Sequence, residues 1–364
     1  MRLLALGLVV LAACGSSVSV GGTGGGSASG GGAATGGGSS SGGGGSAAGG
    51  GSSAGGGSAT GGGSNCPASP LPLAGAEATL AAEFQPDYTV YLLGEVPGVP
   101  PPLGGCVIRQ SDPNHLLIAG ASEDPSGGLY SIEISRDSCQ HITGFVGTAT
   151  KIASTPYIDA NILEGSDGTL LYTEWPVDGL AQLPMGANAP SQRLDLTTIG
   201  LGSSSESPGG LGFVPPPLTG KGQLRSVTWP GGHWYHIQYS ATAGAWSFTA
   251  SMESASSPLT GNPGGFAYVP AGSPAFPNQS LIVSEWSVAG TANDRVAVYQ
   301  VDDSGDPMLP TRKEFFTKFP RPWGAYFEPS TGDYLFLTWH GGGAGDSIYL
   351  VSGFTKPPPP PQLN

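Results

Sequence analysis

The chain has 364 residues, a formal net charge of −13 and only 11% charged residues. That acidic balance disfavours nucleic acid and anionic lipid surfaces as partners. The low charge and the abundance of Gly, Ser and Thr suit an extracytoplasmic surface.

In chain order the first segment is "MRLLALGLVVLAA", residues 1–13, in which one Arg precedes a short apolar run. The run is too short to span a bilayer. It ends in "LAAC", Leu11 to Cys14, followed by Gly15. This resembles a bacterial lipoprotein signal, in which the Cys is acylated and becomes the new first residue. The alternative is an ordinary secretory signal with a chance Cys. Gly rather than Asp after Cys14 implies, by the same resemblance, release from the inner membrane and sorting to the outer one. Several acyl chains on Cys14 would anchor stably, where one would be marginal. The expected location is therefore the outer membrane, on its periplasmic or cell-surface side, with the lipid bilayer as a partner.

Residues 15–64 are almost wholly Gly, Ser, Ala and Thr. Nothing in them can bury apolar surface and offset chain entropy, so the sequence predicts a disordered tether. As a Gly-rich coil these 50 residues would span about 40 Å r.m.s.. At the other end, "KPPPPPQLN" (356–364) predicts a short polyproline II tail.

Residues 65–355 hold short runs of Val, Ile, Leu, Tyr, Phe and Trp between Gly/Pro-rich turns, which is an all-β signature. The one helix candidate is "AGAEATLAAEF", 74–84. A hexamer then recurs: "LLIAGA" at 116, "LLYTEW" at 170, "LRSVTW" at 224, "LIVSEW" at 281 and "YLFLTW" at 334, with spacings of 54, 54, 57 and 53. Each copy follows a strand that is mostly glycine-led, such as "GGCVI" at 104 or "GGFAYVP" at 264, and precedes a third and a fourth strand. A period in this range with four strands is that of a propeller blade. The last unit lacks its fourth strand, and a spare strand lies at 88–98, before the first unit. The expected fold is a five-bladed β-propeller closed by that N-terminal strand. The alternative is six blades, with strands hidden in 66–87 and a long loop.

In such a blade the second strand ends on the face where the first begins. Trp175, Trp229, Trp286 and Trp339 should then ring one face, with His340 beside the last. Two accounts of the ring are open. Large flat side chains fill the wedge between twisted sheets. They would equally form an aromatic rim for a glycan or a peptide. Period-2 alternation puts Glu174 and Glu285 on the other side of their strands from Trp175 and Trp286, where they would line a central channel or be solvated.

The runs "RVAVYQVDDSGDP" (295–307), "TRKEFFTKF" (311–319) and "GAYFEPSTGDYLFLTWHGGGAGDSIYLVSGF" (324–354) resemble a group of exported bacterial propeller proteins of no assigned activity. The likeness extends over nearly all of 88–354. It implies fold and export, not chemistry. The "TGD" and "DDSGD" runs are more simply tight turns than calcium loops.

No HExxH, P-loop, GxSxG or Cys-x-x-Cys motif occurs. The enzyme alternative is a lactonase-like propeller, which holds a divalent metal in its channel by carboxylates and an Asn. Its candidates here are Asp159, Asn161 and Glu164, or Glu174 and Glu285. Oxygen ligands of this kind suit calcium or magnesium. The preferred reading needs no cofactor: a binding or scaffold module whose ligand the sequence does not name.

Beyond Cys14 the cysteines are Cys66, Cys106 and Cys139. An oxidising compartment predicts one disulfide and one spare thiol, and three pairings are open. Cys106 opens the first inner strand and should lie near the channel on the tryptophan face. Cys139 falls in the turn between the third and fourth strands, on the opposite face, within reach of Cys66. The expected bridge is Cys66–Cys139.

Overall fold

The computed structural model describes residues 66–202, 206–242, 245–254, 258–340 and 345–359. The expected leader, Cys14 and the expected tether lie outside the described residues. The strands, in chain order, are β1 (Thr79–Leu80), β2 (Thr89–Gly94), β3 (Leu103–Ile108), β4 (His115–Gly120), β5 (Gly128–Arg136), β6 (Ile142–Ser154), β7 (Ile158–Glu164), β8 (Leu170–Glu174), β9 (Gly179–Leu183) and β10 (Gln192–Asp195). They continue as β11 (Ser207–Phe213), β12 (Leu224–Trp229), β13 (Trp234–Thr242), β14 (Ala245–Glu253), β15 (Pro263–Tyr268), β16 (Ser280–Glu285), β17 (Arg295–Gln300), β18 (Lys313–Lys318), β19 (Pro322–Phe327), β20 (Tyr334–Thr338) and β21 (Ile348–Ser352).

They form five antiparallel sheets: blade I is β3–β6, II is β7–β10, III is β11–β14, IV is β15–β18 and V is β19–β21 with β2. The protein is a five-bladed propeller, and the six-bladed alternative is set aside. Closure comes from β2, whose Thr89 pairs with Ser352 and Tyr91 with Leu350 on β21. Inner strands are buried along nearly their whole length, as β3 and β7 show. They lie between the axis on one side and the wedge against the next blade on the other, so they need not alternate. The outer strand β6 has a mixed, mostly exposed pattern, because one of its faces meets water.

The helix expected at 74–84 does not form. Instead Thr79–Leu80 adds a fifth strand to blade IV against β18, and Leu73 bridges to Tyr91 of blade V. Ala81 N–H donates to Phe315 O, and Leu92 N–H donates to Pro72 O. The outer strands offer unpaired backbone groups, and satisfying them outweighs local helix propensity. Ala78, Leu80 and Phe84 are buried in the core shared by blades IV and V. Upstream, Cys66 is bonded to Cys139 in the β5–β6 turn, with Cα atoms 5.6 Å apart. Residues 66–94 thus form a belt over the outer edges of blades I, V and IV. Cys106 is a free thiol. It packs with Leu103, Ile118 and Leu335 in the wedge between blades I and V rather than in a channel, and burial pushes its thiol pKa up.

The axis is closed. A Cβ on Gly105 would sit 2.8 Å from Ala160 O, one on Gly210 2.7 Å from Gly264 O, and one on Gly265 2.6 Å from Trp323 O. The glycine-led inner strands therefore let neighbouring backbones touch where a larger residue would hold a channel open. Asn161 fills what remains. Its Nδ2 donates to Ala325 O at 3.1 Å and Phe266 O at 3.4 Å, and its Oδ1 accepts from Phe266 N at 3.1 Å and Leu211 N at 3.4 Å. One amide on blade II thereby ties blades III, IV and V together.

Candidate functional site on the tryptophan face

Each hexamer ends where its strand leaves the sheet, so its last residue projects over the axis at the start of the inner strands. Trp175, Trp229, Trp286 and Trp339 lie there, each half-buried. They meet edge to face in ring order, with centroids 5.5 Å apart for 175–229, 5.5 Å for 229–286 and 5.4 Å for 286–339. The indole of Trp229 donates to Trp286 O at 3.4 Å, and that of Trp286 to Trp339 O at 3.1 Å. A fifth indole, Trp323 at the start of β19, lies within the ring, against Trp229, Trp286 and Trp339. Its Nε1 donates to Asp159 Oδ1 at 3.0 Å. Arg321 stacks on Trp286, with Cζ 3.3 Å from the ring centroid. It is held there by Asp294, whose Oδ2 accepts from Arg321 N at 3.2 Å. The guanidinium thus lies over the negative face of the indole, where the ring quadrupole attracts it.

The ring is open at blade I. There the hexamer is "LLIAGA", and Ala121 stands where the others have Trp. Among the described residues, the buried Nε1 of Trp339, the last donor in the ring, has no partner, and neither have the buried Ser122 Oγ, Glu123 Oε1, Thr155 Oγ1 and Asp159 Oδ2. Ala121 and Glu123 both have positive φ, 48° and 63°, a costly backbone for residues with side chains. Such buried polar atoms normally find partners. Here they gather where one indole is missing.

Two carboxyls lie here, Glu123 half-buried and Asp159 fully buried. Glu123 is pushed up to about 8, mainly by burial. Asp159 is raised well above the usual range by burial and by the nearby Glu123 charge, against the opposing hydrogen bond from Trp323. The pair holds a proton near neutral pH, because neither group can be charged cheaply beside the other. Sequence reasoning missed Glu123, Ser122 and Trp323. The departure of "LLIAGA" from the Trp-ending pattern was the available signal.

The other expected site residues lie as follows. Glu174 and Glu285 neither line a channel nor face solvent: each is 1% exposed. Arg193 meets Glu174 at 2.9 Å, and Arg312 meets Glu285 Oε1 at 3.1 Å. Alternation turned them into their own blades, where an Arg further along the blade neutralises them. His340 stays beside the ring, but its Nδ1 is 2.6 Å from Asp346 Oδ1. Asp346 also accepts from Leu103 N, so this pair joins blade V to blade I. Asp159, Asn161 and Glu164 are not brought together. Asp159 lies under Trp323, the amide of Asn161 is taken up by backbone groups, and Glu164 at the far end of β7 accepts from Gln110 N and pairs with Arg109. These three do not make a ligand set for calcium or magnesium. Among the described residues no group of three or more His, Cys, Asp or Glu is arranged to hold a metal. The acidic runs are turns: Asp302 accepts from Ser304 N and Asp306 N, and Glu328 from Ser330 N and Thr331 N.

No family model and no curated protein matches the chain. Among solved structures it is similar to a Carbohydrate-Active Enzymes Family AA12 protein of Trichoderma reesei, at 8% identity and a TM-score of 0.44 over 80% of this chain and all of that one. It is similar to a gluconolactonase of Xanthomonas campestris, at 14% identity and a TM-score of 0.40 over 79% of this chain and 98% of the other. It is also similar to a fructofuranosidase of Schwanniomyces occidentalis complexed with fructose, at 12% identity and a TM-score of 0.46 over 71% of this chain and 57% of that one. The blades described above, not these likenesses, carry the assignment of the fold.

Proposed function

We propose that the protein is an outer-membrane lipoprotein, anchored through acylated Cys14 and a Gly/Ser tether, whose propeller acts as a binding module. Its ligand is a glycan, taken on the tryptophan face at the opening in the ring. The observation that carries this reading is the set of unpaired buried polar atoms at Ala121, beside half-buried indoles. A sugar has the matching chemistry, with C–H faces that lie on aromatic rings and hydroxyls that both donate and accept. Glu123 and Asp159 are both shifted toward the protonated form, and a protonated carboxyl both donates and accepts.

The test is titration of the purified propeller with a glycan panel, read by tryptophan fluorescence. A hit should weaken about tenfold or more in Trp339→Phe and in Glu123→Ala, with unfolding temperatures recorded beside each. No saturable change with any glycan, or equal affinity in both variants, removes the reading. Saturation by peptides alone would make the ligand a peptide. One observation favours a second reading, hydrolysis: a carboxyl that burial keeps protonated, as at Glu123, can serve as a general acid. Turnover of lactones or esters abolished by Asp159→Asn would establish it. Anchoring is tested separately. Cys14→Ala should release the protein from membranes or block its processing, and unchanged partitioning into detergent would exclude lipidation at Cys14.

A further inference from the structure

The opposite mouth of the axis is a different surface. There three of the five inner strands, β11, β15 and β19, end in aromatic residues, and a cavity of about 200 Å³ is lined by Phe213, Phe266, Tyr268, Tyr326 and Phe327 among others. Its remaining wall includes Pro357, Pro358 and Pro359 of the chain's own tail. The two tyrosine rings are fixed in place. Tyr268 Oη donates to Gly305 O at 2.8 Å, and Tyr326 Oη donates to Ile108 O at 3.0 Å. The root of the tail is fixed as well. Phe354 packs on Tyr88 and Phe327, with centroids at 4.4 and 5.0 Å. Thr355 Oγ1 donates to Ala271 O at 3.0 Å, and Thr355 N to Ser273 Oγ at 3.2 Å. A Cβ on Gly332 would sit 2.3 Å from Thr355 O, so the chain can pass there only over a glycine. Beyond the funnel, Pro359 also lines the groove on blade III that holds Tyr239 and His236.

We propose that this mouth is a binding site for proline-rich segments in the polyproline II conformation, and that the chain occupies it in cis with Pro357–Pro359. The chemistry matches on both sides. Proline has no backbone N–H to leave unpaired against an apolar wall. A polyproline II segment is already stiff, so it loses little entropy on docking. Fixed aromatic rings are the surface on which such segments are held. The tether between Thr355 and the funnel is one residue long, so the tail competes at an effective concentration of the order of millimolar or above. A proline-rich partner in trans is excluded until the tail leaves.

The test uses a fluorescent peptide of sequence KPPPPPQLN and two forms of the full chain. One is the unaltered protein, and the other carries Pro357→Gly, Pro358→Gly and Pro359→Gly together. The variant should bind the peptide saturably, and the unaltered chain at least about tenfold more weakly. Equal affinity for both forms, or no binding to a variant whose circular dichroism is native, overturns the proposal. A second measurement needs no variant. Nuclear Overhauser contacts should join proline δ protons to the Tyr268 and Tyr326 rings in unaltered protein, at concentrations where sedimentation shows a monomer. Their absence overturns the cis occupancy, as does their loss on dilution, which would place a second copy's tail in the funnel.

Discussion

Trp323 Nε1 donates to Asp159 Oδ1 at 3.0 Å, joining the inner strand of blade V to that of blade II beneath the tryptophan ring. The same Asp159 has its other oxygen unpaired and faces the charge of Glu123. One residue is thus both a link across the axis and half of an electrostatically coupled pair of buried carboxyls.

That pair should give the protein a pH dependence of definite sign. Glu123 titrates from 4.5 in the unfolded chain to about 8 when folded, and Asp159 shifts in the same direction. Over that window the folded state holds protons that the unfolded chain has released. Stability should therefore fall as pH rises from about 4.5 through 8. Asp159→Asn keeps an oxygen for the Trp323 indole and removes one charge. Its melting temperature should fall less between pH 5 and 8 than that of the unaltered protein. Glu174 and Asp294 are also raised by burial, but they contribute alike to both proteins and cancel in the difference. Parallel melting curves across this range would show that folding does not raise the Asp159 carboxyl.

The ring makes a graded prediction about packing. Trp286 touches Trp229, Trp323 and Trp339 and carries Arg321 on its face. Trp175 stands at the open end, with Trp229 as its aromatic neighbour. Trp286→Ala should cost about 3 kcal/mol and Trp175→Ala about 1 kcal/mol, from lost burial and edge-to-face contact. Denaturant unfolding measures both. Equal losses would mean that the indoles act singly rather than as one packed ring.

The repeat, the blade count and the closing strand were legible because each depends on a local pattern: a run of apolar residues, a glycine pair, a turn. The tryptophans were legible as a ring for the same reason. What the sequence did not show depends on contacts between distant residues. Glu174 and Glu285 are silent about the arginines that neutralise them, since Arg193 and Arg312 belong to other strands and loops of the blade. The segment 74–84 has helix-forming residues, and only the unpaired edges of β18 and β2 turn it into a belt. Asn161 resembled a metal ligand because an amide suits calcium. Its true partners are backbone groups, which carry no sequence signal.

The belt should matter to stability in two separable ways. Cys66 and Cys139 close a loop with a sequence separation of 73. Cys139→Ser should cost about 2–4 kcal/mol, mainly by freeing the unfolded chain. Deleting 15–64 should leave unfolding nearly unchanged. Deleting through residue 95 removes β1 and β2 and bares the edge of β21, so it should cause aggregation, read by light scattering. If both truncated chains unfold alike, β2 does not close the ring.

Asn161 allows the sharpest test of how the axis is held. Its amide meets four backbone groups on three other blades. Asn161→Leu keeps the size and leaves those groups facing a hydrocarbon. Each buried polar group without a partner costs about 1–3 kcal/mol, so the loss should reach at least about 3 kcal/mol. Asn161→Asp separates hydrogen bonding from shape. At neutral pH it places a charge on the axis and loses both donors, so it should be destabilised at least as much. On acidification the carboxyl gains a proton and with it one donor. Its deficit relative to the unaltered protein should therefore shrink between pH 7 and pH 4, while that of Asn161→Leu stays constant. Urea unfolding at the two pH values decides it. A deficit in Asn161→Asp that does not respond to pH would mean that Asn161 fills space at the axis without bonding the blades together.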